Sequence, residues 1–407
     1  MPPGQRARLA DTRRLGPGST GDRVVVLRKP LRAALAAGHP WVFRDALEQA
    51  TIAPGTVVSV VDARGRFVAR GWADAGPIAV RVLTAVDEPI DDAFLRARIT
   101  AAVSLRDRVV PPDTDAYRLL HGEGDRMPGL VCDVYGACAT VQLDGAAAVA
   151  NRAALLALLR PVLEARGVAT VLVRSGRRAE RRIDHAWGPP PPEPITVTEH
   201  AMRLVASLAR GQKTGLFLDH RDSRASVRAL SDGAKVLDLY AYIGGFSAAA
   251  GLGGAAHVDA VDIAAEAIAF GEQTWRANGL PRGRRVGHAS DVPRFLADAR
   301  ARAETWDLII ADPPSFAPSE ASKAKALQSY ALLHAACLHV LAPGGLLLAA
   351  SCSSHVRAHE FEAVLADAAA QEGRVLQVLA RAGAPADHPR LLAFPEGDYL
   401  DVIIARA

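Results

Sequence analysis

The 407-residue sequence holds only four cysteines, Cys132, Cys138, Cys337 and Cys352, and no two of them form a C-x-x-C pair. That scatter argues against a zinc site and against a disulfide framework. No run of about 18 apolar residues exists, so no membrane-spanning helix is expected. The first residues lack the apolar core of a secretory signal. Lysine is rare, and arginine carries nearly all of the positive charge. The net charge of +4 is too small to demand a nucleic-acid partner, although the basic balance leans that way. A soluble, cytoplasmic protein is the expectation. Also missing, at the chain's central glycine turn, is the G-x-G-x-x-G pattern by which a dinucleotide site brings backbone up to a pyrophosphate.

What is there is ample apolar material, 50% of the residues, and a length that suits two or three domains. Residues 234–262 organise the rest. They read as strand (Lys235–Leu239), glycine turn (Gly244, Gly245), alanine-rich helix from Phe246, and second strand (His257–Asp262). This is one βαβ unit, and in such sheets ligands sit at the carboxyl ends of the strands. S-adenosylmethionine has no phosphate but carries an ammonium, a carboxylate and a sulfonium. Asp238, at the first strand's end, suits that cation. Asp262, at the second, is placed to accept both ribose hydroxyls. An ordinary crossover with acidic strand ends is the plain alternative at this point.

Residues 1–21 hold Arg6, Arg8, Arg13 and Arg14 among Gly, Pro and Ser and read as a disordered extension. Residues 22–93 read as a small β-rich domain. A strand is expected at 23–27, a short helix at 30–37, and alternating strands at 56–61, 67–72 and 79–83. Gly38-His39-Pro40-Trp41-Val42-Phe43 reads as a turn whose Trp41 and Phe43 either stack on bases or plug a small barrel. Residues 94–193 read as a central α+β domain. A helix is expected over 90–110, then strands within 117–143 around the His121-Gly122-Glu123-Gly124-Asp125-Arg126-Met127-Pro128-Gly129-Leu130 loop. The spacing of His121, Glu123 and Asp125 matches no common metal-ligand set, so no metal is expected. A helix over 146–166 and a strand over 169–174 follow. Arg174, Arg177, Arg178, Arg181 and Arg182 then form either a solvated hairpin or a phosphate-contacting edge.

The proline run at 189–194 closes that region. Residues 194–407 begin with a hairpin over 195–208 and the stretch Gly211-Gln212-Lys213-Thr214-Gly215-Leu216-Phe217-Leu218-Asp219-His220-Arg221, which opens a helix to 230. After the βαβ unit, a strand over 285–288 leads to Asp291. The strand Trp306–Ala311 ends in Asp312-Pro313-Pro314-Ser315-Phe316. A helix over 328–341 and a strand over 346–350 lead to Ser351-Cys352-Ser353-Ser354-His355. A helix over 361–370 and strands over 375–379 and 400–404 complete an α/β sheet with its reactive groups on one rim.

With these motifs the chain resembles the large-subunit ribosomal RNA cytosine-5 methyltransferases of the RlmI and RlmO type. The likeness covers nearly everything after the first twenty residues and runs through G-H-P-W-V-F, H-G-E-G-D-R-M-P-G-L, G-Q-K-T-G-L-F-L-D-H-R, L-D-L-Y-A-Y-I-G-G-F-S, D-P-P-S-F, S-C-S-S and D-H-P (387–389). It implies a PUA-like RNA-binding domain, a central α+β domain and a C-terminal Rossmann-like, S-adenosyl-L-methionine-dependent methyltransferase domain. The implied partner is large-subunit ribosomal RNA, with a homodimer as a possible assembly and no membrane. One departure is Ser315, where the family pattern usually has lysine.

The expected cofactor contacts are Asp238, Tyr240, Tyr242, Gly244, Gly245, Phe246, Asp262, Ile263, Asp291 and Asp312, with Lys213, Phe217 and Arg221 from the preceding motif. The expected substrate contacts are Pro313, Pro314, Phe316, Trp41, Arg174, Arg177 and Arg178. Carbon 5 of cytosine is too weak a nucleophile unaided. A thiolate added to carbon 6 makes it enamine-like, and Cys352 at a strand end is the candidate thiol. Asp312 is the candidate acid for ring nitrogen 3. The base must be unpaired or leave its helix. Cys132, Cys138 and Cys337 read as core. Three alternatives stay open: methylation of a base nitrogen such as guanine's, which needs no thiol; a small-molecule methyltransferase; and a non-enzymatic RNA-binding protein.

Overall fold

A computed structural model describes residues 23–48, 51–176, 182–211, 213–317 and 319–407. The N-terminal extension, Arg177, Arg178 and Arg181 lie outside the described residues.

The first layer is a five-stranded sheet built from β1 (Arg23–Val26), β2 (Trp41–Phe43), β3 (Val57–Val61), β4 (Phe67–Ala73) and β5 (Ile78–Thr84), with helix α1 (Arg32–Ala36) beside it. The strand order is β1-β3-β4-β5-β2. Val42, Val58, Val60, Ala69 and Val80 alternate into its core. The stretch expected to be a turn through Phe43 is strand from Trp41 onward. Val42 pairs with Val80 and is fully buried, so the apolar alternation prevails over the Gly-Pro signal before it.

The middle layer starts with α2 (Asp92–Val109), whose first turn is capped by Asp91 accepting from Phe94 N at 2.8 Å. It continues through β6 (Ala116–His121), β7 (Leu130–Tyr135), β8 (Cys138–Leu143), α3 (Gly145–Ala150), α4 (Arg152–Ala165), β9 (Thr170–Ser175) and β10 (Arg182–Trp187), in sheet order β10-β9-β8-β7-β6. The single helix expected over 146–166 is two. Asn151 leaves helical geometry (φ −92°, ψ 10°), and its side-chain amide donates to Gly55 O and Ala147 O at 3.1 Å each. One face of this sheet buries Leu119, Cys132, Val141 and Val173 together with side chains of α2 and α4. The other face, with Ala116, Tyr135 and Cys138, shares a core with the hairpin β11 (Ile195–Glu199) and β12 (Met202–Ala206) and with the C-terminal layer.

That third layer is a seven-stranded sheet. It comprises α5 (Arg221–Ala229), β13 (Lys235–Leu239), α6 (Gly245–Leu252), β14 (His257–Asp262), α7 (Ala265–Ala277), β15 (Arg285–Ala289), α8 (Val292–Ala301), β16 (Trp306–Ala311), α9 (Lys323–His339), β17 (Leu341–Ser351), α10 (Ala358–Gln371), β18 (Gln377–Ala382) and β19 (Asp401–Arg406). The order is β15-β14-β13-β16-β17-β19-β18, parallel except where β19 runs against both neighbours. The chain winds outward from β13 in one direction and from β16 in the other, so a switch point opens at their carboxyl ends. Strand parity divides the faces. Val236, Val258, Ile310 and Leu348 face α6 and α7, while Leu237, Val261, Ile309 and Leu347 face α8, α9 and α10. Burying each such side chain contributes about 1.5–3 kcal/mol, which fixes the rim by fixing the strands. Among the described residues no helix is long and apolar enough to cross a membrane.

Candidate active site

The turn leaving β13 holds three left-handed residues, Tyr240 (φ +59°), Tyr242 (φ +46°) and Gly244 (φ +72°). Glycine adopts this conformation freely, but each tyrosine stores about 1–3 kcal/mol of strain. The turn is braced accordingly. Tyr242 N donates to Asp262 Oδ2 at 2.9 Å, Tyr242 OH donates to Gly215 O at 3.1 Å, and the Tyr242 ring meets Phe217 edge-on at 5.3 Å. A Cβ on Gly244 would lie 2.9 Å from Gly271 Cα, so packing demands glycine there as well.

Asp262 receives one backbone N–H on each oxygen, from Tyr242 and from Ala264, both at 2.9 Å. Each oxygen has a further lone pair for a diol. The next side chain, Ile263, is 76% exposed, an apolar surface suited to a planar base. Asp291 caps α8 through Oδ1, 3.2 Å from Arg294 N, and is itself exposed. Tyr240 is half-buried against the core beneath α8 and α9. Phe246 is buried and packs against His220.

Asp238 corrects the expectation placed on it. It shares the α6 face with Val236, is fully buried, and accepts from Ser247 N at 2.9 Å and Ser247 Oγ at 2.5 Å. Burial pushes its carboxyl up to about 6 against the pull of those bonds and of Arg285. It anchors the first turn of α6, and thereby the glycine turn, from inside the fold, and its Oδ1 is buried with no hydrogen-bond partner among the described residues.

On the other half of the rim, β16 delivers Asp312 and β17 delivers Cys352. Their loops are joined by hydroxyls. Tyr330 OH lies 2.9 Å from Ser351 Oγ and 3.2 Å from Ser353 Oγ, and Ser353 Oγ lies 3.1 Å from Ser315 Oγ. Ser315 thus ties the two loops together. Pro313 is buried and Pro314 exposed. Cys352 Sγ points at Pro313 O, 3.8 Å away. Burial pushes this thiol up to about 11, the Asp312 carboxylate acts in the same direction, and Lys213 opposes them. Phe316 departs from expectation: its ring packs on Tyr330 at 5.0 Å and belongs to the core edge. A ring so engaged is not poised to stack on a base.

The stretch before α5 closes the site from the side. Lys213 Nζ binds Asp219 Oδ2 at 2.5 Å, and Tyr399 OH donates to the same oxygen at 2.8 Å. The Lys213 ammonium also sits 4.4 Å from the Phe217 ring centre. His220 Nε2 lies 3.2 Å from Asp312 Oδ2. Asp219, His220 and Tyr399 were not picked out from sequence. The available signal was a charged pair inside the apolar run Leu216-Phe217-Leu218-Asp219-His220, which burial makes costly unless paired.

Three further expected contacts are engaged elsewhere. Arg221 forms a bidentate pair with Asp387, 2.9 and 3.0 Å, and neither side chain is accessible. It cannot reach a cofactor. Arg174 is buried, with Nη1 3.1 Å from Gly211 O and Nη2 2.5 Å from Leu208 O, so it caps backbone carbonyls instead of phosphates. Trp41 donates from Nε1 to Glu123 Oε1 at 2.9 Å and packs on Phe394 at 4.5 Å, while Phe43 beside it is 40% exposed.

These contacts define a junction. Glu123 also accepts from Arg81 Nη1 at 2.8 Å. Asp125 takes Arg106 on both oxygens, 2.6 and 2.7 Å, and Arg106 Nη2 continues to Asp387 O at 2.7 Å. A Cβ on Gly124 would fall 1.8 Å from Pro389 O, so the motif's second glycine lets the D-H-P turn seat on it. The His121–Leu130 loop therefore links all three layers. Among the described residues no His, Cys, Asp and Glu group is arranged to hold a metal ion.

A sheet of this order, with a glycine turn after β13 and a backbone-held aspartate at the end of β14, is the framework of an S-adenosylmethionine-dependent methyltransferase. A family profile of that description matches residues 149–395, and a PUA-like domain profile matches residues 25–85. The chain is 35% identical over 384 residues to the ribosomal RNA large subunit methyltransferase I of Salmonella arizonae, covering 92% of this chain and 95% of that protein. Its counterpart from Erwinia tasmaniensis is also 35% identical, covering 92% and 97%. A candidate SAM-dependent methyltransferase from Streptococcus mutans superimposes with a TM-score of 0.84 over 95% of this chain and 100% of that one, at 21% identity. A candidate methyltransferase crystallised with S-adenosylhomocysteine gives 0.85 at 21% identity, with the same coverage. The last two speak for the fold alone. The chain belongs to the family of the ribosomal RNA large subunit methyltransferase I proteins.

Proposed function

We propose that the protein methylates carbon 5 of a cytosine in large-subunit ribosomal RNA through a covalent bond between Cys352 and carbon 6 of the base. The observation that carries this reading is the position of Cys352. It is the one cysteine of the four that is not buried, and it stands at the carboxyl end of β17 with Asp312 influencing its thiol. Nitrogen methylation needs no thiol there.

The residues present fit S-adenosylmethionine, which supplies an electrophilic methyl on its sulfonium. Asp262 would hold the ribose hydroxyls, Ile263 and Asp291 the adenine, and Gly244 and Gly245 the methionine end. Tyr242, Phe217 and Lys213 would wall the site. Cys352 bonds to carbon 6, Asp312 serves ring nitrogen 3, and the Pro313-Pro314 turn keeps that carboxylate in place. Residues 22–93 and 94–193 position the RNA, with Phe43 as the exposed aromatic of the first sheet.

RNA carrying 5-fluorocytidine tests the reading, because fluorine blocks the proton loss that releases the thiol. The wild-type protein should become trapped on it, with the crosslink at Cys352. Cys352→Ala should keep S-adenosylmethionine binding and lose nearly all methylation. A crosslink at another cysteine, or an alanine variant as fast as wild type, would overturn the assignment.

A further inference from the structure

Cys352 must lose its proton before its sulfur can bond to carbon 6. Burial and a neighbouring carboxylate both hold the proton on, so the site needs a route for it. Asp312 is that neighbouring carboxylate: it directly precedes Pro313, whose carbonyl oxygen the thiol faces at 3.8 Å, and behind it stands His220. The His220 side chain is 3% exposed, and its Nε2 lies 3.2 Å from Asp312 Oδ2. Its Nδ1 is buried with no hydrogen-bond partner among the described residues. One face of the ring is covered by Phe246, edge-on at 5.3 Å. A buried imidazole normally satisfies both nitrogens. Here, among the described residues, the polar contact of the ring is with the rim carboxylate.

The surrounding charged groups make their hydrogen bonds elsewhere, although Asp219 Oδ1 and Asp238 Oδ1 are buried with no hydrogen-bond partner among the described residues. Asp219, the preceding residue, is taken by Lys213 and Tyr399. Arg224, whose guanidinium is 5.9 Å from the Phe246 ring centre, is held bidentately by Glu199 at 2.6 Å on each oxygen. Asp238 is bonded to Ser247. Among these carboxylates, Asp312 is the one with an oxygen within 4 Å of a His220 ring nitrogen, at 3.2 Å.

We propose that His220 is a positioning residue for the reaction, holding Asp312 through Nε2 so that the carboxylate relays the Cys352 proton to the cytosine. The inference rests on the covalent reading above. In the step, the S–H bond breaks and its proton passes to Asp312, while sulfur bonds to carbon 6. The electrons of the carbon 5–carbon 6 double bond move to form a carbon 4–carbon 5 double bond. The carbon 4–nitrogen 3 pair moves onto nitrogen 3, which takes the proton from Asp312. Asp312 ends ionised as it began, and no further reactant is consumed.

His220→Leu and His220→Gln test this in the full-length protein, the glutamine amide retaining an N–H for Asp312. Four quantities are read: S-adenosylmethionine affinity, KM for RNA, single-turnover methylation rate, and the rate of covalent trapping on 5-fluorocytidine RNA. The leucine variant should lose about 100-fold in both rates, the scale of a positioned proton transfer, with cofactor affinity and KM unchanged. The glutamine variant should recover to within about tenfold of wild type. Trapping by the leucine variant at the wild-type rate overturns the role of His220, and so does an equal loss in both variants, which marks a packing effect. Absence of any adduct with wild-type protein overturns the covalent reading itself and the relay with it.

Discussion

At the rim of the seven-stranded sheet, Asp262 is held by two backbone N–H groups beside an exposed Ile263. At the junction of the layers, Asp387 is held by the Arg221 guanidinium, Arg118 N and His388 Nδ1, with nothing exposed. Both carboxylates lie in motifs that look reactive. The difference is in what remains for a ligand. Backbone donors orient Asp262 and leave oxygen lone pairs outward. A bidentate guanidinium and two further donors saturate Asp387. Although burial pushes the Asp387 carboxyl up, His388 and Arg221 together hold it well below the usual carboxylate range. The rim is prepared for a ligand, whereas the junction is already complete and couples the sheets that would position RNA to the sheet that would do chemistry.

The comparison is broken most forcefully at Asp387. Asp387→Ala leaves Arg221 buried without its bidentate partner, with only the exposed Asp222 carboxylate 3.6 Å from Nε, and should destabilise the fold by about 3–5 kcal/mol. Urea unfolding reads this directly, and a loss below about 1 kcal/mol would mean that the junction behaves as a surface pair.

Asp238 gives the next effect and a pH signature. Its carboxyl titrates near 3.8 in the unfolded chain and about 6 in the fold. Between about pH 4 and about pH 6 the folded state therefore binds more protons, so stability falls as pH rises through that window, by about 3 kcal/mol in all. Asp238→Asn should flatten that slope. A slope unchanged in the variant would assign it to another group.

Asp262→Ala should weaken S-adenosylmethionine by about 1.5–3 kcal/mol, about ten- to a hundredfold, with little change in stability. Calorimetry that found full affinity would remove Asp262 from the cofactor site. The smallest expected effect is at Trp41. Trp41→Phe keeps packing against Phe394 but loses the bond to Glu123, a cost of about 1 kcal/mol in thermal unfolding. If stability held while RNA affinity dropped, Trp41 would belong to RNA recognition and not to the junction.

Much of this was legible in residue order. The hairpin, expected over 195–208 and observed over 195–206, the five parallel strands of the Rossmann-like core, the glycine turn and the placement of Cys352 and Asp312 beyond strand ends all follow from alternation, turn chemistry and strand length. Even the error at Asp238 was readable, since period two sets it on the same face as Val236 and against a helix. The roles of Arg221 and Arg174 were not readable. Each stands in a cluster of charge that looks solvent-facing, and each is buried by a partner remote in sequence.

The sequence by itself determined which segments become strands and helices and which polar groups stand at strand ends, because those depend on neighbours a few residues away. Only the tertiary structure decided which charges are sealed and which are offered to a ligand. Arg221 meets Asp387 across 166 residues and Arg106 meets it across 281. Whether a charge is buried depends on whether an opposite charge or a free carbonyl reaches it when the layers close, and local spacing carries no record of that meeting.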